Sequence, residues 1–212
     1  MSDAPVLVTG ATGGIGSAIA ARLEAAGHDV LRTDLSPPAP GARFIAARLP
    51  DDLDTLVDAL PARLGGIVHA AGAIHTHRAD LIDADVFARL FAINVHAPVA
   101  LTARLAARLS RGASVVFVGS VAGLRASPSN LIYGASKAAL HNAALTFAKA
   151  LAPRPGDGGL RGYISRETAR RDTVELDAAL LDVNVAGRQV FPVAEALKAR
   201  GVPFVFSTGY GE

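Results

Sequence analysis

Tyr133 and Lys137, in the stretch YGASK, stand four residues apart, one turn if that stretch is helical. The chain has only three lysines, the others being Lys149 and Lys198, and arginine supplies the rest of its 21 basic residues. A phenol and an ammonium at this spacing can simply decorate a helix face. They can also do chemistry, because the ammonium lowers the phenol's pKa and the pair then gives and takes a proton near neutral pH. The other residues must decide between these readings.

A second set of residues suits an anion. TGATGGIG, Thr9 to Gly16, follows a short apolar run and opens a helical pattern. Its glycines at 10, 14 and 16 give a GxxxGxG spacing rather than GxGxxG. Gly10 permits a tight turn, Gly14 lets backbone approach a pyrophosphate, and Gly16 lets helix and strand pack closely. The helix N-terminus then offers its N–H groups to the phosphates. Asp34 ends the next apolar run, where a carboxylate accepts hydrogen bonds from a ribose 2′-hydroxyl. A negative charge there repels a 2′-phosphate, so NAD is favoured over NADP, a preference that Arg32 could soften. The alternative for Asp34 is a turn or cap residue before SPP.

The histidines are less informative. His75 and His77 have a spacing seen in metal sites, but no third ligand lies near them in sequence and no metal is expected. His96 and His141 lie in apolar helical contexts and read as packing or interface residues.

The elements that must position these groups alternate. Strands are expected at APVLVTG, HDVLRTD, ARFIAARL, GGIVHAAG and ASVVFVGS. Helices are expected at SAIAARLEAAG, DDLDTLVDALPARL, DADVFARLFAINVHAPVALTARLAARLS (kinked near Pro98) and NLIYGASKAALHNAALTFAKALA. The strands are continuous apolar runs, which predicts an α/β, Rossmann-like doubly wound parallel sheet with helices on both faces.

Bulk composition agrees with a globular protein built on Ala, Val and Leu. Of 212 residues, half are hydrophobic, 19% are charged and 5% aromatic, with a formal net charge of +2. So small a charge does not indicate a nucleic-acid partner. There is no cysteine, which excludes disulfides and thiolate metal sites. The N-terminus lacks a signal-peptide pattern, and no uninterrupted apolar run of membrane-spanning length is present, so a soluble cytoplasmic protein without a membrane partner is expected.

With these parts in place, residues 4–152 resemble the short-chain dehydrogenase/reductase family. The likeness rests on TGATGGIG, the HAAG of 69–72, Asn94 in FAINVHAP, Ser120 in VVFVGS, and YGASK. Ser120 precedes Tyr133 by 13 residues, and Tyr133 precedes Lys137 by 4. The resemblance implies hydride transfer between NAD(H) and a secondary alcohol or ketone, a small-molecule substrate. Tyr133 would exchange the proton with the substrate oxygen, and Ser120 would hydrogen-bond that oxygen. Lys137 would hold the nicotinamide ribose and lower the phenol's pKa, and Asn94 would hold a water in the relay to Lys137.

The cofactor contacts carried over are Thr9, Gly10, Thr12, Gly14, Ile15 and Gly16 at the phosphates, and Asp34 at the ribose. Ala70, Ala71 and Gly72 approach through their backbone, with Asn94, Tyr133 and Lys137 at the nicotinamide. The helices at 83–109 and 130–151 would pair with a second subunit in a homodimer or homotetramer. Two positions depart from the family: Arg48 stands where an acid is usual near the adenine, and His69 where Asn is frequent.

At PRPGDGG, from Pro153, the texture changes. Residues 1–152 are read as the dinucleotide-binding core and 153–175 as a linker or lid-like excursion. Pro155-Gly156 comes too early to be the family's Pro-Gly motif. Residues 176–212 read as a βαβ unit supplying the last strands of the sheet. This tail is also similar to the middle of a response-regulator receiver domain, which would make Asp182 a phosphoacceptor and Thr208 the hydroxyl sensing its phosphate. The first strand, which would carry the acid pair for such chemistry, and the last strand, where its lysine would sit, are not found in the tail. The leading expectation is therefore an NAD-dependent oxidoreductase. Its alternatives are a dinucleotide-binding protein without turnover and a receiver-type module fused to a dehydrogenase domain.

Overall fold

The computed structural model describes residues 4–37, 41–126 and 128–151, and beyond them the backbone of four short strands. Five strands, β1 (Val6–Thr9), β2 (Val30–Asp34), β3 (Phe44–Ala46), β4 (Leu64–His69) and β5 (Leu109–Phe117), form one sheet. All its pairings are parallel, in the order β3-β2-β1-β4-β5. The chain winds outward from β1 in one direction and then restarts on its other side. The crevice for a ligand therefore opens at the carboxyl ends of β1 and β4, where Thr9 lies in register with both Thr33 and His69.

The continuous apolar strands have a direct cause. Leu7, Leu31, Ile67, Val115 and Phe117 face one side, against α2 (Leu53–Ala59), α4 (Ala97–Leu105) and α5 (Leu131–Ala150). Val8, Val30 and Val68 face the other, against Ile19 and Ala20 of α1 (Gly14–Ala25). With both faces covered, the central strands read as continuous apolar runs, and the exposed Arg111 falls in the first half of β5.

The long helix expected over 83–109 is broken, one turn before Pro98. α3 (Ala84–Phe91), capped by the Asp83 carboxylate accepting from Asp85 and Val86 N–H, runs into a π turn at Ala92–His96 before α4 begins. Pro98 has no N–H for the Asn94 carbonyl and its ring crowds that carbonyl, so the backbone widens ahead of it. The Ala97 N–H reaches Ala92 O instead. By length and composition Ala84–Arg108 could cross a membrane; in this fold it buries Leu90, Leu101 and Leu105.

The two tail strands expected from sequence are present as β6 (Ala179–Asp182) and β9 (Phe204–Ser207), with a short antiparallel pair, β7 (Asn184–Val185) and β8 (Arg188–Gln189), between them. β6 and β9 pair with each other in parallel, Asp182 opposite Ser207, as a separate two-stranded sheet. In the described pairings they do not extend the main sheet, which ends at β5. A crossover unit can satisfy one edge of each strand internally and so has no obligatory need of β5. Thr208, the helix expected between these strands, and the candidate lid at 153–172 lie outside the described residues.

His69 is a core residue. Its ring is 3% exposed, Nε2 lies 2.8 Å from Thr102 Oγ1, and it stacks on Phe117 at 4.9 Å. Burial pushes its pKa down to about 3. Because the unfolded chain takes up this proton first, near pH 6.5, stability is full above that pH and is lost as pH falls toward the folded value. At about 1.4 kcal/mol per pH unit, His69 should remove about 2 kcal/mol between pH 6.5 and 5. Thermal midpoints measured over this range should fall more steeply in the parent protein than in His69→Gln; parallel slopes would refute the assignment.

Candidate active site

The first βα turn is held by contacts that only glycine permits. Gly10 has φ +64°, and a Cβ on it would lie within 2.7 Å of main-chain atoms of Ala70 and Ala71. A Cβ on Gly16 would overlap the Gly10 carbonyl. Gly14 is different: among the described residues, its own helix and chain neighbours aside, nothing lies within 4 Å of where its Cβ would stand. The fold demands Gly10 and Gly16, whereas Gly14 leaves open space at the start of α1. That helix has no side-chain cap and no acid in its first turn, so its N-terminus suits an anion. Ile15 beside it is exposed. These features fit a dinucleotide pyrophosphate.

The side chains around this turn are engaged with one another. Thr9 Oγ1 accepts the Ala71 N–H at 3.2 Å, which ties β1 to the loop after β4. Thr12 donates to Asp34 through its N–H at 2.9 Å and its hydroxyl at 2.6 Å, and the Leu35 N–H donates to the other carboxylate oxygen at 2.8 Å. Burial pushes the Asp34 pKa up, but hydrogen bonds from Thr12, Leu35 and Gly13 outweigh it and hold the carboxyl below its usual range. Arg32, expected to soften the charge of Asp34, is turned into a two-pronged pair with Glu24 on α1. Arg48 is exposed, its N–H bonded to Asp52.

At the other end of the crevice, β4, the π turn, β5 and α5 converge. Asn94, fully buried, accepts from the Ala73 N–H and donates to the Ala73 carbonyl, both at 2.9 Å, and donates to Ser136 Oγ at 3.0 Å. Ser136 in turn donates to the Tyr133 carbonyl at 2.7 Å. Asn94 is thus a clamp between the loop after β4 and α5. A Cβ on Gly72 would stand 3.1 Å from Asn94 Oδ1 and 3.6 Å from Lys137 Nζ, so these three residues meet.

Tyr133 and Lys137 do share a helix face. Nζ lies 5.8 Å from the centre of the Tyr133 ring and donates to the Val118 carbonyl at 2.9 Å. Lys137 is 5% exposed, and burial pushes its pKa down to about 8. Ser120, half-buried at the end of the β5 segment, accepts the Ala122 N–H at 3.2 Å. His75 and His77 stack 6.1 Å apart in the loop after β4. Ser136 and Thr102 are parts of this region that sequence reasoning missed, and His141, read there as a packing or interface residue, meets the Ser120 N–H. Ser136 lies inside YGASK and was within reach; the partnership of Thr102 with His69, 33 positions apart, left no local signal.

A doubly wound sheet with a glycine turn at its switch point and a Tyr–Lys pair across the crevice defines a nucleotide-binding oxidoreductase fold. A family model described as "short chain dehydrogenase" matches residues 4–155, and the chain belongs to that family. It is similar to the "Short chain dehydrogenase ausX" of Penicillium brasilianum, 34% identical over 152 residues, covering 65% of this chain and 59% of that protein. The chain thus spans about 59% of that relative's length.

Among solved structures it resembles a short chain dehydrogenase from Burkholderia cenocepacia in complex with NADP. That match has a TM-score of 0.68 and 24% identity, over 98% of this chain and 86% of that one. It also resembles a 4-hydroxyisoleucine dehydrogenase complexed with NADH and succinate, with a TM-score of 0.66 and 19% identity, over 96% and 97% of the two chains. At these identities the structural likeness is one of fold. These neighbours bind cofactors of both the NADP and the NAD type.

Two predictions follow from this packing. Gly16→Ala should destabilise by about 3 kcal/mol, since the clash is with backbone, whereas Gly14→Ala should stabilise by about 0.5–1 kcal/mol and weaken NADH binding. Urea unfolding with NADH titration separates the two, and equal stability losses would refute the distinction. Lys137→Met should stabilise the ligand-free protein at pH 7 by about 3 kcal/mol, because an ammonium whose pKa is lowered by burial is destabilising while charged. That difference should shrink as pH rises from about 8 to 10.5; a variant no more stable at pH 7 would contradict it.

Proposed function

We propose that this chain binds NAD(H) and transfers a hydride between it and a small secondary alcohol or ketone. The observation that carries this reading is the buried Lys137 ammonium, held by Val118 O beside the Tyr133 ring and Gly72. One carbonyl serves an ammonium that has three donors, and a ribose diol reaching the crevice past Gly72 offers further acceptors.

When bound, the nicotinamide gives or takes the hydride. In the reductive direction, the Tyr133 phenol donates its proton to the substrate oxygen as the carbonyl carbon is reduced. Ser120 hydrogen-bonds that oxygen, and Lys137 stabilises the negative charge left on the phenol oxygen. Oxidation runs these proton movements backwards. Asn94 keeps the loop after β4 and α5 in register, and its place beside Lys137 suits a water-borne proton path.

NAD is favoured over NADP because the Asp34 carboxylate stands charged at the end of β2 and Arg32 is committed to Glu24. The apolar helices 84–108 and 131–150 would pair with a second copy. A second reading, dinucleotide binding without turnover, is favoured by two observations: the family match ends at residue 155, and among the described pairings the main sheet ends at β5.

Fluorescence titration with NADH and NADPH, followed by a panel of small ketones, tests both readings. NADH should bind at least about tenfold more tightly than NADPH, the equivalent of about 1.4 kcal/mol. Tyr133→Phe should lower kcat by a factor of about 10²–10⁴ while leaving NADH affinity within about twofold. Binding without turnover of any ketone would select the second reading; failure to bind either cofactor would overturn both.

A further inference from the structure

α5 carries a third chemical group in line with Tyr133 and Lys137. His141 is one further turn along, buried, and seated inside the turn that presents Ser120. Its Nε2 accepts the Ser120 N–H at 3.4 Å, a long bond that the surrounding packing makes specific. A Cβ on Gly119 would stand 2.5 Å from Nε2, and one on Gly123 would stand 3.1 Å from Cε1. The two glycines flanking Ser120 are what leave room for the imidazole. Lys137 and His141 therefore stitch α5 to one short loop in opposite senses. The lysine gives a hydrogen bond to the carbonyl of Val118, and the histidine takes one from the N–H of Ser120.

We propose that His141 is a positioning residue that sets Ser120 against Tyr133, and that it does so only as a neutral imidazole. The inference rests on the functional reading above insofar as Ser120 meets the substrate oxygen. Accepting the Ser120 N–H requires an unprotonated Nε2, which places the ring proton on Nδ1. A proton on Nε2 would set N–H against N–H and release the loop. The loop from Val118 to Gly123 contains no ionisable side chain. Among the described residues, the charge acting on His141 is that of Lys137 on the same helix. Burial first, and then that charge, hold the His141 pKa below its usual value and keep the acceptor in place at neutral pH.

The test follows the Ser120 amide by ¹⁵N–¹H NMR in the full chain as pH is lowered, in the parent protein, His141→Gln and His141→Leu. The parent amide should titrate together with the His141 ring, with a midpoint below about 6.5, the ordinary histidine value. His141→Gln, whose side-chain carbonyl accepts without titrating, should hold the neutral-pH shift across the whole range. His141→Leu should show a displaced Ser120 resonance at every pH. With a turned-over ketone, His141→Leu should lower kcat by about tenfold with KM for NADH within twofold, as expected of a misplaced group. His141→Gln should recover most of that loss and flatten the acid limb of the pH profile.

A Ser120 amide insensitive to pH while the ring titrates, or unmoved in His141→Leu, overturns the proposal. Absence of turnover in the parent protein would refute the functional reading instead, and the amide shifts alone would then decide the role of His141.

Discussion

Keeping an ammonium out of water is unfavourable, and in this fold the unfavourable group stands where the crevice closes. Lys137 cannot be buried by α5 alone. The end of β5 must supply the Val118 carbonyl, and the loop after β4 must pass close by, a Cβ on residue 72 standing 3.6 Å from Nζ. Three segments distant in sequence are brought together around one charge. Their convergence fixes Tyr133 and Ser120 at the same end of the sheet, because Tyr133 precedes Lys137 by one turn and Ser120 follows Val118 by two residues. A water-filled gap would relieve the charge and release the geometry. Tight packing keeps the geometry at the expense of stability, the usual relation between a functional site and its scaffold.

The crevice's other end uses the opposite device. There the protein brings N–H groups, not side-chain cations, to the place where anionic phosphates would sit. Close passage of Gly10 against Ala70 and Ala71, and of Gly16 against Gly10, brings β1, α1 and the loop after β4 within backbone contact of each other. Thr9 closes this arrangement by accepting from Ala71. Among the described residues the carboxylate at this rim is Asp34, held at the end of β2 by hydrogen bonds from Thr12, Gly13 and Leu35. Electropositive backbone in the middle and a charged carboxylate at the end of β2 give the crevice a polarity along its length.

Much of this was legible in the sequence, and the reason is local geometry. Tyr133 and Lys137 are one helical turn apart, and the glycines lie within a single turn, so spacing alone carries the contact. The five strands were legible because a sheet covered on both faces leaves continuous apolar runs. What escaped depends on long-range packing. Thr12 and Asp34 are 22 positions apart, and nothing in TGATGGIG shows that the threonine answers the aspartate. Arg32 looked like a modifier of Asp34 from its spacing, yet Glu24 takes it. Pro98 announced a break in its helix but not the wider turn before it, because the relief of a backbone clash spreads toward the N-terminus. The place of the tail was not legible for a different reason: an apolar βαβ unit reads the same whether it joins a neighbouring sheet or pairs with itself.

Asn94 shows why position and role must be separated when a motif is read. Both N–H donors of its side-chain amide are engaged, by the Ala73 carbonyl and Ser136, and its oxygen accepts from the Ala73 N–H with one lone pair to spare. Satisfying a buried amide in this way stiffens both segments that it joins, because breaking either link would strand a polar group in the core. The π turn is what aims it: the widened backbone at Ala92–His96 carries Asn94 inward between the loop and α5. The local sequence around residue 94 therefore serves the site through backbone shape as well, and its side-chain amide holds the neighbours of Lys137 in place.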